Sequence, residues 1–187
     1  MKKVALVVLA DGFEEVEAIT PIDALRRAGI EVIVAGIGKR EVTGAHGVIF
    51  GTNLMLEQYQ GLPDAVVLPG GMPGASNLIK SEALKDVLQK AKRADKIIAA
   101  ICASPAAVLA PLGLPEGHKA TCYPGFEDEL GSKVKFSPER VVTDGQFITS
   151  RAPGTALEFS LRLVSELIDK EAAEKVAKAM MAPASIL

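Results

Sequence analysis

The chain has 187 residues, 49% of them hydrophobic, enough apolar material to bury the core of a single domain without disulfides or a structural metal. Its formal net charge is −2 and its Lys and Arg residues are spread along the chain, so there is no basic footprint for nucleic acid or for a membrane surface. No apolar run approaches the roughly 18 residues of a membrane helix, and the apolar run after Lys2-Lys3 is too short for a signal peptide, so the expected location is the cytoplasm.

Val4 to Ala10 is continuously apolar and rich in valine, as in a strand buried on both faces, and Asp11-Gly12 ends it. Phe13 to Ala28 has helical spacing, with Ala18, Ile22 and Leu25 on one face and Gly29 as the stop; Thr20-Pro21 fits either a fresh helix start or a kink. A second strand over Ile30 to Ala35 makes the opening a βαβ unit. Gly44 to Asn53 reads as irregular, with a short strand at Val48 to Phe50. Ala65 to Leu68 reads as a third buried strand, ending in Pro69-Gly70-Gly71-Met72-Pro73-Gly74. An amphipathic helix capped by Ser81 runs to Arg93 and leads into Ile97 to Ile101, a strand that stops at Cys102.

Beyond Cys102 the pattern predicts a helix from Ala106 to about Ala110, a Gly/Pro loop from Leu112 to Gly117, and short strands at Lys119 to Tyr123 and Val134 to Phe136. Arg140 to Thr143 and Gln146 to Ser150 flank Asp144-Gly145, the signal of a type I′ hairpin. Pro153 starts a helix with Leu157, Leu161, Val164 and Ile168 inward, and a last helix spans Glu171 to Met181. Strands alternating with helices predict an α/β fold. Its sheet is mostly parallel and covered on both faces, with Val4 to Ala10, Ala65 to Leu68 and Ile97 to Ile101 central and ligands at the carboxyl ends of the strands.

Cys102 therefore falls on a strand-to-helix turn, with small neighbours Ala100, Ala103 and Ser104 leaving room for a tight nucleophile elbow. Free N–H groups at a helix start favour thiolate over thiol there. Gly70-Gly71 permits a close backbone approach with an N–H turned toward a substrate, as an oxyanion hole requires. Glu14, Glu15 and Glu17 occupy the first helical turn, and one of them held protonated beside a thiolate can act as acid or base. Periodicity referred to Ile22 turns Glu15 inward, but Pro21 interrupts the phase and the pattern does not choose among the three. The two histidines, His46 and His118, are not adjacent to Cys102 in sequence, and neither Cys102 nor Cys122 has metal-ligand spacing, so no metal and no cofactor are expected.

Four motifs, Leu9-Ala-Asp-Gly-Phe-Glu-Glu-Val-Glu17, Val66-Val-Leu-Pro-Gly-Gly71, Ala99-Ala-Ile-Cys-Ala103 and Thr149-Ser-Arg-Ala-Pro-Gly-Thr155, together resemble the ThiJ/PfpI superfamily. The resemblance lies in the branch of the human parkinsonism-associated deglycase and the bacterial chaperone YajL. It implies a flavodoxin-like sandwich, a homodimer, Cys102 as nucleophile, Glu17 as its hydrogen-bonding glutamate, and Gly71 and Ala103 as oxyanion donors. It further implies a small reactive carbonyl or a glycated molecule as substrate, with a redox-sensing, chaperone-like role for Cys102 as the alternative. Ala103 stands where the peptidase branch has a histidine, which weakens a peptidase reading. Tyr123 replaces a histidine of the human protein near the nucleophile. Arg27 matches an arginine near the dimer interface, and His46 replaces its companion arginine. Gly70, Arg27, His46 and Tyr123 are thus candidates for the pocket or the interface.

Overall fold

The computed structural model describes residues 2–183 and 186. In chain order the elements are β1 (Val4–Leu9), α1 (Glu15–Arg27), β2 (Glu31–Gly36), β3 (Glu41–Thr43), β4 (Ile49–Gly51) and β5 (Leu54–Met55). They continue with β6 (Ala65–Leu68), α2 (Gly74–Leu78), α3 (Glu82–Arg93), β7 (Ile97–Ile101), β8 (Lys119–Ala120) and β9 (Lys135–Phe136). The chain closes with β10 (Val141–Asp144), β11 (Phe147–Ser150), α4 (Ala156–Leu167) and α5 (Lys170–Ala179).

Seven strands form one sheet in the order β10-β11-β7-β6-β1-β2-β5, parallel except for the β10–β11 hairpin. β7, β6 and β1 hold its centre, as their unbroken apolar runs predict, since a strand covered on both faces has no side free for polar residues. One core lies under α1 and α4, with Phe13, Leu25, Phe159 and Leu163. The other lies under α2 and α3, with Leu68, Leu78, Leu84 and Leu88. The flavodoxin-like sandwich follows from burying both faces of a parallel sheet.

The structure corrects several local expectations. Pro21 lies inside α1, not at its start, so one helix runs from Glu15 to Arg27. In the hairpin Asp144 pairs with Phe147, and Gly145 and Gln146 form the turn. Only Gly145 of these two has positive φ (59°), which excludes type I′ and matches type II′ in placing glycine first. On α4 the face toward the sheet carries Phe159, Leu163, Val164 and Leu167, while Leu157 and Leu161 meet Ala24 and Val176 of the flanking helices. Ile168, expected inward, follows the last helical turn and is 43% exposed. The predicted strand at Lys119 to Tyr123 is only two residues long, because Thr121 turns its N–H to the Thr149 hydroxyl.

Candidate active site

Three βα junctions meet at the carboxyl edge of the central strands: 10–14 after β1, 69–74 after β6, and 102–105 after β7. Cys102 is 8% exposed and has a left-handed backbone (φ 65°), a conformation that costs a side-chain-bearing residue about 1–3 kcal/mol. Its N–H donates to Ser150 at 2.9 Å and its carbonyl accepts from Tyr123 N–H at 2.8 Å, so the strained residue is tied on both sides.

The short helix expected from Ala106 to about Ala110 does not form as a regular α-helix with its dipole. It is a π turn over Pro105–Leu109 that runs into a 3₁₀ turn over Ala110–Leu112. Local donors replace it, because the N–H groups of Gly71 and Ala103 are both directed at the Cys102 sulfur. Gly71 has φ 88°. Gly70 admits no side chain, since a Cβ there would stand 2.7 Å from the Cys102 Cβ and 2.8 Å from Glu17 Oε2.

Glu17, not Glu15, faces the thiol. Glu17 is fully buried and its Oε2 accepts from Gly70 N–H at 2.8 Å, while Oε1 is sealed from solvent and has no hydrogen-bond partner among the described residues. Glu15 turns the opposite way. Its Oε1 accepts from His46 N–H at 2.7 Å and from Val48 N–H at 3.4 Å, and its Oε2 lies 2.8 Å from His46 Nδ1. The two residues project from opposite sides of α1, yet both are buried because the first turn is wedged between the 69–71 loop and the loop joining β3 and β4. Periodicity sees one buried face and cannot register a helix start enclosed on two sides.

Burial pushes the Glu17 carboxyl up to about 7, against the lowering effect of hydrogen bonds from Cys102 and Gly70. Burial and the Glu17 charge push the Cys102 thiol up to about 12, against the two N–H donors. Ionising Glu17 raises the thiol further, so thiolate forms more readily while Glu17 keeps its proton. The pair is one coupled unit in which a single proton is placed on carboxyl or sulfur. At Glu15 burial acts upward too, but the hydrogen bonds from His46 and the backbone outweigh it and hold the carboxyl below its usual range.

The remaining candidates separate. Tyr123 lies beside Cys102 through the backbone bond above, with its ring partly exposed and set edge-on to Phe126. His46 belongs to the Glu15 cluster, and His118 sits against Phe147 at the amino end of β11, so neither pairs with the thiol. Arg27 is bound to Asp23 at the far end of α1, about 15 Å along the helix from Glu17. Glu14, Glu15 and His46 bring donor atoms within 4.8 Å of one another, but Glu15 is already engaged by His46 and Val48.

Cys122 offers a contrast within the same chain. It is fully buried with Ala106, Ala120, Leu130 and Val134, and burial pushes its thiol up to about 12, opposed by the Arg151 charge but by no N–H donor among the described residues. Native protein treated with a thiolate-selective alkylator near pH 6 is expected to be labelled at Cys102 at least about tenfold faster than at Cys122, read by peptide mass spectrometry. Equal labelling would remove the distinction.

Residues 2–166 match the DJ-1/PfpI family. The chain is 46% identical over 179 residues to the Parkinson disease protein 7 homolog of Danio rerio, covering 93% of this chain and 94% of that one. It is 35% identical to a protein named deglycase in Pyrococcus abyssi, covering 80% of this chain and 90% of that protein. The crystal structure of Drosophila melanogaster DJ-1beta superposes with a TM-score of 0.93 at 40% identity, covering 98% of this chain and all of that one.

Proposed function

Given that the chain belongs to the DJ-1/PfpI family, we propose that it is a cysteine-dependent enzyme of the cytoplasm that acts on small reactive carbonyls. The observation that carries this reading is the triplet of a strained Cys102, two N–H groups aimed at its sulfur, and a buried Glu17 with one oxygen unpartnered. The Cys102 sulfur adds to the aldehyde carbon of a 2-oxoaldehyde, and the new oxyanion is met by N–H donors of the 71 and 103 loops before it is protonated to a hemithioacetal. Glu17 as carboxylate takes the proton from that carbon and returns it to the neighbouring one, while the hemithioacetal hydroxyl proton passes to the former ketone oxygen, leaving a 2-hydroxy thioester. Water then releases the 2-hydroxy acid and restores the thiol. Protein or nucleotide deglycation uses the same sulfur: it replaces the amine at the aminocarbinol carbon of a glycated adduct, the C–S bond forming as the C–N bond breaks and the amine leaves protonated, and the same hemithioacetal results. The test is conversion of methylglyoxal to lactate by wild type and Cys102→Ser, followed by initial rates.

A second reading uses the same sulfur as an oxidation sensor with a chaperone-like output. The Glu17 carboxyl beside Cys102, once protonated, can donate to an oxygen added to the sulfur, which favours arrest at sulfinic acid. Mild peroxide is the discriminating treatment, since oxidation found first at Cys122 would eliminate this role.

The active unit proposed is a homodimer. Val16 and Ile19 on α1 and Val48 and Ile49 at β4 are exposed, and the Glu15 bonds to His46 and Val48 hold these two segments together. Light scattering at micromolar concentration is expected to give twice the 19.6 kDa chain mass. A value of 19.6 kDa would withdraw the dimer.

A further inference from the structure

The elbow and the glycine loop are joined by one short side-chain bond that the chemistry above does not use. Ser104 is fully buried, and its Oγ donates to the Pro69 carbonyl at 2.6 Å. The two ends of this bond are adjacent to the donor segments, since Ser104 follows Ala103 and Pro69 precedes Gly70-Gly71.

Glu17 also bridges the two loops, accepting from Gly70 N–H and from Cys102, but the backbone ties at this place lead elsewhere. Cys102 is bonded through its backbone to Ser150 and Tyr123, and Ala107 N–H donates to Ala103 within the elbow's own turn. The glycine loop is held from its far side, where Glu14 N–H donates to Gly70 and Ala75 N–H to Gly71. The gap between the two loops is tight, because an absent Gly70 Cβ would lie 2.9 Å from the Ala103 nitrogen. Two N–H vectors from separate strands must converge on one sulfur across that gap, and electrostatic stabilisation of this kind depends on donors held in place before reaction.

We propose that Ser104 is a positioning residue that sets the spacing of the Gly71 and Ala103 N–H donors around Cys102. It touches no substrate. Its hydroxyl clamps the 69–71 loop against the elbow, so its removal leaves both donors present but misplaced. The kinetic part of this inference rests on the carbonyl-enzyme reading, whereas the effect on the thiol does not.

The experiment compares Ser104→Ala and Ser104→Thr with wild type in thermal melting, in the pH dependence of Cys102 alkylation by iodoacetamide, and in methylglyoxal kinetics. For Ser104→Ala the alkylation midpoint is expected to rise by roughly half to one pH unit. Its kcat should fall about tenfold, less than the 10²–10³ that follows outright loss of a donor, with KM within about twofold. Ser104→Thr retains the hydroxyl and is expected to recover most of both effects. A midpoint and kcat unchanged in Ser104→Ala would overturn the inference, as would losses that Ser104→Thr fails to recover, since those belong to packing. Absence of turnover in wild type would sink the enzyme reading alone and leave the alkylation arm to decide on Ser104.

Discussion

Cys102→Ser is expected to lower methylglyoxal turnover at least about a thousandfold while leaving the melting temperature nearly unchanged. Serine fits the same left-handed backbone and meets the same N–H groups, so the elbow geometry survives. The chemistry does not, because an ordinary hydroxyl ionises far above a thiol. Glu17, with a carboxyl at about 7, is too weak a base to deprotonate it. Initial rates of methylglyoxal loss and lactate formation give the answer. A variant within tenfold of wild type would move the reaction away from the sulfur.

Glu17→Gln is expected to separate two properties that wild type combines. Glutamine keeps a donor toward the sulfur and carries no charge, so alkylation of Cys102 should persist, whereas proton transfer between the two substrate carbons should be lost. Turnover should fall by about 10²-fold or more. Glu17→Ala should lose both, having neither donor nor base. Equivalent changes at Glu15 should leave the thiol untouched, because that carboxylate is directed at His46.

The same substitution carries a stability signature. The folded chain raises Glu17 from 4.5 to about 7 and so holds its proton more tightly than the unfolded chain does. Its stabilising contribution is complete below about pH 4.5 and is lost as pH rises through about 7. The difference corresponds to roughly 3 kcal/mol for a group this deeply enclosed. Glu17→Gln removes that dependence. Urea titrations at pH 8 should therefore find the glutamine variant more stable than wild type, with the advantage gone near pH 4. The opposite ordering would mean that Glu17 is ionised without penalty in the folded chain, and the shared-proton account would fall.

The sequence exposes the scaffold more readily than the site. β1, β6 and β7 are legible because a strand buried on both faces has only apolar residues to offer, and the glycine pair and small-residue turn mark where two of them end. β3 and β5 are not, since two or three residues at a sheet margin carry too little periodicity to register. Ile168 misleads because helical phase continues in the sequence past the point where the helix itself stops. The choice between Glu15 and Glu17 depends on which loops flank the start of α1. That information resides in residues about 30 and 50 positions away, at His46 and Gly70. The bond from Ser104 to Pro69 spans 35 positions and has no local signature at all.

The three junctions that meet at Cys102 belong to strands whose parallel pairing requires a crossover between each pair, so no local segment contains the site. Glu17, Gly71 and Cys102 come within reach only when β1, β6 and β7 are all in register. Chain closure of this kind is slow to form and is lost as a unit. In a nascent or partly unfolded chain Cys102 is an ordinary cysteine on a small-residue segment, without base, donors or strained backbone. The combination of a fixed sulfur, two N–H donors and an acid–base partner is thus a property of the finished sheet, and a chain that has not completed it has only the reactivity of a free cysteine.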